Sequence, residues 1–163
     1  MKILVVSPIQ PWPVRSGYGV VVHDDVRALA MQGHQVTVLA QFFTGESSEG
    51  DLAGQASIEP FPTNRPPRWR ELLGNVGKPW PVSVTRRMEP RLLDRAAELV
   101  RDGWPDVVLL EDTVTGFYGP LLKRIRRIPV YLRSHNVFTV MFERNCQGQR
   151  NPLVRAVVRW QTE

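Results

Sequence analysis

The sequence predicts an α/β fold of the Rossmann-like kind, with three α/β/α layers around a mainly parallel sheet. Short apolar runs recur along the 163 residues, and amphipathic segments with helical spacing lie between them. Because neighbouring parallel strands need a long crossover connection, this alternation of strand and helix predicts βαβ units. The length suffices for one hydrophobic core, so we expect a single domain.

The first such unit lies at the start of the chain. Residues 3–7, Ile-Leu-Val-Val-Ser, show no polar alternation, which is typical of a central parallel strand covered on both faces. The loop over residues 8–17 contains prolines that end the strand, and its length favours a functional role. A helix is predicted over residues 18–32, Gly33 suits its left-handed end, and a second strand follows over residues 35–40.

The later chain repeats the alternation. A short third strand is predicted over residues 56–61 and a helix within residues 82–101. A further strand over residues 106–111 precedes a loop and helix over residues 113–127, and another strand follows over residues 128–133. In the helix before this last strand, Leu121 and Leu122 are both predicted to face inward.

Three other segments have a less regular pattern. Prolines and arginines over residues 62–69 predict an exposed basic loop, and a short helix is expected over residues 69–73. Residues 137–163 have a helical pattern that ends without a cap. We therefore expect the chain to be part of something longer.

Composition limits the classes of function. The formal net charge of +5 would suit an anionic membrane, a phosphorylated ligand, nucleic acid or an ordinary solvated surface. A single cysteine excludes an intramolecular disulfide, and the three histidines lack metal-binding spacing, so no metal site is expected. No apolar run is long enough to span a bilayer, and a cytoplasmic location is expected.

The first candidate binding element is Ser16-Gly17-Tyr18-Gly19 at the start of the first helix. Glycines there let a backbone approach a ligand, and a helix N-terminus attracts anions. The string lacks the third small residue of the dinucleotide fingerprint, and the loop before it is too long for that turn. An NAD site is therefore not expected, and a plain glycine-bearing helix start remains an alternative.

Two later strands end in polar residues. His135, followed by Asn136, comes after the strand over residues 128–133, and Glu111-Asp112 ends the preceding strand. Ligands of open parallel sheets bind beyond this edge, so these side chains are expected close to the first loop. A histidine there binds a hydroxyl or phosphate or moves a proton, and carboxylates accept hydrogen bonds from a polyol. Structural roles, such as capping the next helix, are the alternative for each.

Three stretches together resemble a known family. Residues 1–40, with Ile-Leu-Val-Val-Ser-Pro, Ser-Gly-Tyr-Gly and Gln-Gly-His-Gln-Val-Thr-Val-Leu-Ala, look like the opening of glycosyltransferases of the GT-B fold. The likeness is greatest to the large retaining group 4 family. Trp-Pro-Asp-Val-Val-Leu-Leu-Glu at residues 104–111 looks like a later strand of that family. Arg-Ile-Pro-Val-Tyr-Leu-Arg-Ser-His-Asn at residues 127–136 looks like the strand that ends in its histidine.

The resemblance implies one half of a two-domain fold. In GT-B enzymes two Rossmann-like domains face each other across a cleft, the N-terminal one binding mainly the acceptor and the C-terminal one the nucleotide sugar. Residues 1–163 would then be the N-terminal domain, and the C-terminal nucleotide-sugar domain is absent from this chain. The chain alone is therefore expected to be inactive.

The resemblance also implies roles for single residues. His135 would match the active-site histidine that contacts the transferred sugar. The glycine loop, comprising Gly17, Tyr18 and Gly19, would approach the phosphates and sugar of the donor. Three residues would lie on the acceptor side: Glu111, Asp112 and Asn136.

Two functions from different classes follow. The first is a glycosyltransferase, which as a whole enzyme would transfer a sugar with retention from a nucleotide-sugar donor to a saccharide or lipid-linked acceptor. The family uses no metal as a rule, the nucleotide sugar is a substrate, and no cofactor is expected. The second is a non-catalytic Rossmann-like or flavodoxin-like module that binds a ligand or a protein partner.

Basic segments at residues 65–70 and 123–127 suit peripheral contact with an anionic membrane, and no specific nucleic-acid partner is expected.

Overall fold

The computed structural model describes residues 1–43, 52–63, 88–135 and 138–148, together with single positions at 74, 85, 151, 152 and 156. The chain divides into two compact units. The first comprises Met1–Asn64 and Arg87–His135, and the second comprises Arg65–Arg86 and Asn136–Glu163.

The first unit is built on a five-stranded sheet whose order is β3-β2-β1-β4-β5. Each neighbouring pair runs parallel, so the prediction of a parallel sheet is confirmed. The strands are β1 (Lys2–Ser7), β2 (Gln35–Phe43), β3 (Ser57–Thr63), β4 (Val107–Glu111) and β5 (Val130–Arg133).

Helices alternate with these strands. The first unit contains α1 (Gly17–Met31), α2 (Pro90–Arg101), a 3₁₀ turn (Thr113–Thr115) and α3 (Tyr118–Ile125). The second unit contains α4 (Phe138–Gly148). The predicted helix over residues 69–73 lies outside the described residues, and after α4 the helical pattern predicted up to residue 163 is described only at positions 151, 152 and 156.

Both faces of the sheet are covered, which confirms the three-layer Rossmann-like prediction. Leu4 and Val6 of β1 pack in one cluster with α2 and α3, and Ile3 and Val5 pack in a second cluster with α1. Alternate residues of a strand point to opposite faces, so an uninterrupted apolar run supplies both clusters. This burial explains why β1 shows no polar alternation.

The ends of α1 are fixed by local chemistry. The side chain of Ser16 accepts a hydrogen bond from the amide of Gly19 at 3.1 Å and caps the helix start. Gly33 follows the helix with φ of 81°, the left-handed conformation that glycine adopts without steric cost. The predicted left-handed end is therefore confirmed.

Helix α2 is held at its start by a buried tyrosine. Glu89 caps the helix by accepting from the amide of Arg91, and the amide of Glu89 itself donates to the hydroxyl of Tyr118 at 3.2 Å. Burial raises the pKa of Tyr118 to about 12. This contact ties the start of α2 to α3, the next helix on the same face of the sheet.

Several predicted boundaries differ from the structure. Strand β2 runs three residues beyond its predicted end, and β3 extends to Thr63, into the segment predicted as a basic loop. Proline at positions 60 and 62 is tolerated because β3 is an edge strand. The prediction that Leu121 faces inward is wrong: it is 41% exposed, whereas Leu122 is buried. Helical rotation of 100° per residue places only one of two consecutive leucines on the core side of a short helix.

Candidate functional site

The carboxyl ends of β1, β4 and β5 meet at one edge of the sheet, where α1 also begins. The parallel register brings Glu111, the last residue of β4, opposite Arg133, the last residue of β5. His135 follows two residues later. These residues share this edge with the start of α1, where Tyr18 contacts His135.

His135 and Glu111 form a hydrogen-bonded pair. Nε2 of His135 lies 2.6 Å from Oε2 of Glu111. Glu111 is fully buried, and the His135 side chain is only 10% exposed. A bond this short between an imidazole and a carboxylate is charge-assisted, and it fixes the orientation of the ring.

The surroundings of Glu111 shift the pKa of its carboxyl group. Burial raises the pKa of its carboxyl group, and the hydrogen bond and charge of His135 act in the opposite direction. Its second oxygen, Oε1, is buried and has no hydrogen-bond partner among the described residues. Buried carboxylates of this kind cost stability, and they occur where a site requires them.

Tyr18 completes the group from the first turn of α1. Its ring lies against the imidazole of His135, with centroids 4.5 Å apart and planes tilted by 54°. No described atom lies within 4 Å of the position that a Cβ on Gly17 would occupy, and at Gly19 the nearest such contact is 3.5 Å, to Ser16 Oγ. Packing within the protein therefore does not require glycine at either position, which leaves room for a ligand beside this helix start.

Asp112 has a structural role in this structure. Its carboxylate accepts from the amide of Thr113 at 2.6 Å and from the Thr113 hydroxyl at 3.1 Å, so it caps the 3₁₀ turn. Its φ of 72° is in a region that favours glycine, and such backbone strain clusters at functional edges. Its amide donates to the carbonyl of Arg133 at 2.8 Å, which ties the ends of β4 and β5 together. Thr115 adds a hydrogen bond from its hydroxyl to the carbonyl of Glu111 at 2.9 Å.

Sequence reasoning missed two charged residues at this edge. The guanidinium of Arg133 forms an ion pair with the carboxylate of Asp25 on α1, and their side chains are 40% and 28% exposed. The signal was available for Arg133, because it ends the strand that leads to His135. Asp25 gave no such signal, since its position in the middle of α1 is typical of a solvated helix face. Asn136 lies outside the described residues.

The loop after β1 contributes a further polar side chain. Gln10 is only 6% exposed, and its Oε1 has no hydrogen-bond partner among the described residues. On the same side, His23 of α1 lies against Trp12, with ring centroids 5.7 Å apart, and its Nδ1 is 3.0 Å from Asp24. The three prolines of this loop end β1 and lead the chain across the edge to Ser16.

The part of the chain that the structure describes contains no group of three His, Cys, Asp or Glu side chains that could hold a metal ion. Its helices are likewise too short or too polar to cross a membrane. The expectation that the protein uses no metal and no cofactor stays a prediction.

Comparison with a solved structure supports the fold. The fold is similar to that of UGT2 from Phytolacca americana, which was solved with UDP-2-fluoro-glucose and pterostilbene. The TM-score is 0.54 at 13% identity, over 86% of this chain and 32% of that chain. A parallel Rossmann-like unit with this likeness has the fold of a GT-B glycosyltransferase N-terminal domain.

The family follows from the sequence. The model of the glycosyl transferase 4-like domain matches residues 16–162, and the chain belongs to this family.

The fold is also similar to that of the C-terminal domain of the PF1911 hydrogenase from Pyrococcus furiosus, at 20% identity and a TM-score of 0.46 over 83% of this chain and 91% of that chain. A similarity of this size carries no functional argument. No curated protein matches the sequence.

Proposed function

We propose that this chain is the acceptor-side domain of a glycosyltransferase that moves a sugar from a nucleotide-sugar donor to a saccharide or lipid-linked acceptor with retention. The observation that carries the proposal is the pairing of His135 with the buried Glu111 beside Tyr18. Membership of the glycosyl transferase 4-like family supports glycosyl transfer in general. The donor, the acceptor and the stereochemical outcome belong to the proposal.

His135 is proposed to contact the transferred sugar. Its Nε2 is engaged by Glu111, so Nδ1 is the ring nitrogen that remains for a ligand. When Glu111 is ionised, Nε2 carries the shared proton and Nδ1 accepts a hydrogen bond from a sugar hydroxyl. Through Oε2, Glu111 acts on the transferred sugar by way of the histidine, and its Oε1 remains for the acceptor.

The glycine loop is proposed to approach the donor phosphates. The first turn of α1 presents backbone amides and the positive end of the helix dipole, which together stabilise an anion. Ser16 engages the amide of Gly19, so an incoming phosphate oxygen would compete with the Ser16 hydroxyl there. Growing charge on a leaving nucleoside diphosphate is stabilised by preorganised donors of this kind.

The acceptor is proposed to bind beyond the ends of β1 and β4. Gln10 and Glu111 each place at this edge a buried oxygen that has no hydrogen-bond partner within the described part of the chain, and both oxygens suit the hydroxyl groups of a polyol. Asp112 supports this region indirectly, because its carboxylate is used in capping. The proposed location is the cytoplasm, with peripheral contact to an anionic membrane through the exposed basic residues 123–127.

Ligand-observed NMR with the full chain tests the proposal. Methyl glycosides and UDP are titrated into the protein and into His135→Ala, with His34→Ala as the matched control because His34 lies beyond the helix stop, away from this edge. We expect His135→Ala to weaken the binding of the methyl glycosides about fivefold, the size of one neutral hydrogen bond, and to leave the binding of UDP unchanged because the glycine loop contacts the phosphates. His34→Ala is expected to bind both ligands like the parent chain. Equal binding by all three proteins would remove His135 from the site.

A turnover assay tests separately whether the chain alone can transfer a sugar. We expect no transfer from UDP-glucose or GDP-mannose to any acceptor by the chain alone, because the residues that hold the diphosphate reside in the other half of a GT-B fold. Robust turnover by the chain alone would contradict the acceptor-side assignment.

A further inference from the structure

A pocket lies at the other end of β5, away from the candidate site. It has a volume of about 560 Å³ and is lined by Lys123, Arg127, Ile128 and Pro129. These residues precede β5, whereas Arg133 is the last residue of β5 and His135 lies beyond it. The volume is within the range of small-ligand pockets, about 300–1,000 Å³.

The floor of this pocket is fixed by the core and the sheet. Ile128 is only 6% exposed and packs in the cluster that joins α2 and α3 to the sheet. The carbonyl of Pro129 accepts a hydrogen bond from the amide of Val108 at 3.0 Å. The two cations therefore stand beside an apolar surface that cannot move independently of the fold.

The cations at residues 123–127 resemble Arg27 and Arg101, and differ from three other arginines of the unit, in having no ion pair with a described carboxylate. Arg91, Arg95 and Arg133 each form an ion pair with a carboxylate. Among the described residues, no carboxylate forms an ion pair with any of the four cations between positions 123 and 127: Lys123, Arg124, Arg126 and Arg127. Like charges this close repel one another, so an anion bound between them would be stabilised.

The end of a helix explains only some of these cations. Lys123 and Arg124 lie in the last turn of α3, where positive charge complements the helix dipole. Arg126 lies against Gly103 after the end of α2, since a Cβ there would be 2.9 Å from its Nη1. Neither helix end accounts for Arg127, which lies beyond α3 and lines the pocket together with Lys123.

We infer that this pocket is a second binding site, for a phosphate group attached to an uncharged body. The Arg127 guanidinium offers a planar fork that matches two phosphate oxygens, and the Lys123 ammonium adds a point charge. Ile128 and Pro129 give the uncharged part of the ligand an apolar wall. None of the described residues that line the pocket is aromatic, so they offer no ring on which a nucleic-acid base would stack. The site is independent of the proposed transferase function.

Titration with inorganic phosphate and glycerol 3-phosphate, followed by NMR or calorimetry at constant ionic strength, tests the inference. Arg127→Gln and Lys123→Gln are each expected to weaken binding by about tenfold, the size of one charge-assisted hydrogen bond. Arg124→Gln removes the same charge from the same run without touching the pocket, and it is expected to bind like the parent chain. Arg127→Lys, which keeps the charge but loses the fork, is expected to lie between these extremes.

A vesicle arm distinguishes two sources of the phosphate. Sedimentation with phosphatidylcholine vesicles, with and without phosphatidate, is measured for the same variants. Loss of binding in Arg127→Gln but not in Arg124→Gln supports the pocket. If this loss occurs in the titration with soluble phosphates, the ligand is a soluble phosphate ester. If it occurs only with vesicles, the ligand is a lipid headgroup. Equal losses in both variants would mean diffuse surface charge, and absence of binding in both arms would overturn the inference.

Folding and the candidate site are controlled separately. Circular dichroism and thermal unfolding establish that each variant is folded. His135→Ala is expected to retain the phosphate affinity of the parent chain, because His135 lies at the other edge of the sheet. A loss of phosphate binding in that variant would place the anion at the candidate site and refute a second pocket.

Discussion

Replacing Glu111 with glutamine separates the contribution of this residue to stability from its contribution to binding. The carboxylate is fully buried, its Oε1 has no partner among the described residues, and burial raises its pKa. A glutamine of the same shape removes the cost of burying charge while its amide oxygen still accepts from His135. Because an amide avoids the cost of burying the charge of a carboxylate, we expect Glu111→Gln to be about 1 kcal/mol more stable at pH 8.

The pH dependence gives the sign of this effect. Because the folded-state pKa of Glu111 is above the unfolded value, the protonated carboxyl group is favoured in the folded protein. Its contribution to stability is fully present below the unfolded value of about 4.5 and is lost as pH rises through the folded pKa. The advantage of Glu111→Gln is therefore expected to be greatest at high pH and to shrink as pH falls toward the unfolded value.

Urea unfolding at several pH values measures the stability, and saccharide titration measures the binding. Glu59→Gln is the matched control, because Glu59 forms a partly exposed ion pair with Arg95 and its loss should cost at most about 1 kcal/mol at any pH. We expect Glu111→Gln to be more stable than the parent chain and to bind saccharides more weakly. Binding is weakened because an amide can donate to Nε2 of His135 as well as accept from it, and so no longer fixes which ring nitrogen carries the proton. A variant that is markedly less stable than the parent at pH 8 would show that the carboxylate is a structural group.

Three further substitutions test the supporting structure by urea unfolding. Tyr118→Phe removes the hydrogen bond to Glu89 and should cost about 1 kcal/mol, and an unchanged midpoint would mean that this bond contributes nothing. Asp112→Ala loses the cap of the 3₁₀ turn and should cost about 1–2 kcal/mol, whereas Asp112→Gly should cost less because glycine adopts the positive φ without strain. Greater stability of the alanine variant than the glycine variant would contradict strain at Asp112. Ser16→Ala should cost about 1 kcal/mol by loss of the hydrogen bond from Gly19, and no change would argue against this cap.

The order of strands and helices was predictable because burial imposes a period on the sequence. The apolar run of β1 predicted a central strand, and the structure places β1 between β2 and β4. Boundaries were less predictable, as at β3, which continues through Pro62 into the segment predicted as a loop. A proline is compatible with a strand only at the edge of a sheet, and the position of a strand within a sheet is a tertiary property that local sequence does not encode.

The candidate site was predictable where topology alone decides position. All parallel strands end at one edge, so His135, Glu111 and the glycine loop could be placed together from their order in the chain. The partner of each side chain could not be predicted in this way. Glu111 and Asp112 are adjacent and chemically alike, yet Glu111 pairs with His135 and Asp112 caps the next turn. The positive φ of Asp112 turns the two carboxylates apart, and sequence pattern gives no sign of that angle in a residue other than glycine.

The two edges of the sheet differ in whether their cations are paired with carboxylates, a difference that the formal net charge of +5 does not show. At the carboxyl edge, Arg133 is neutralised by Asp25 and His135 is paired with Glu111. An anion would have to displace Asp25 from the Arg133 side chain there, whereas uncharged hydroxyl groups would meet buried oxygens that have no partner among the described residues. At the opposite edge, Lys123 and Arg127 have no such competitor among the described residues. The side chains therefore favour hydroxyl groups beside His135 and Glu111, where only the backbone amides of the glycine loop are left for donor phosphates, and they favour a phosphate group at the second edge.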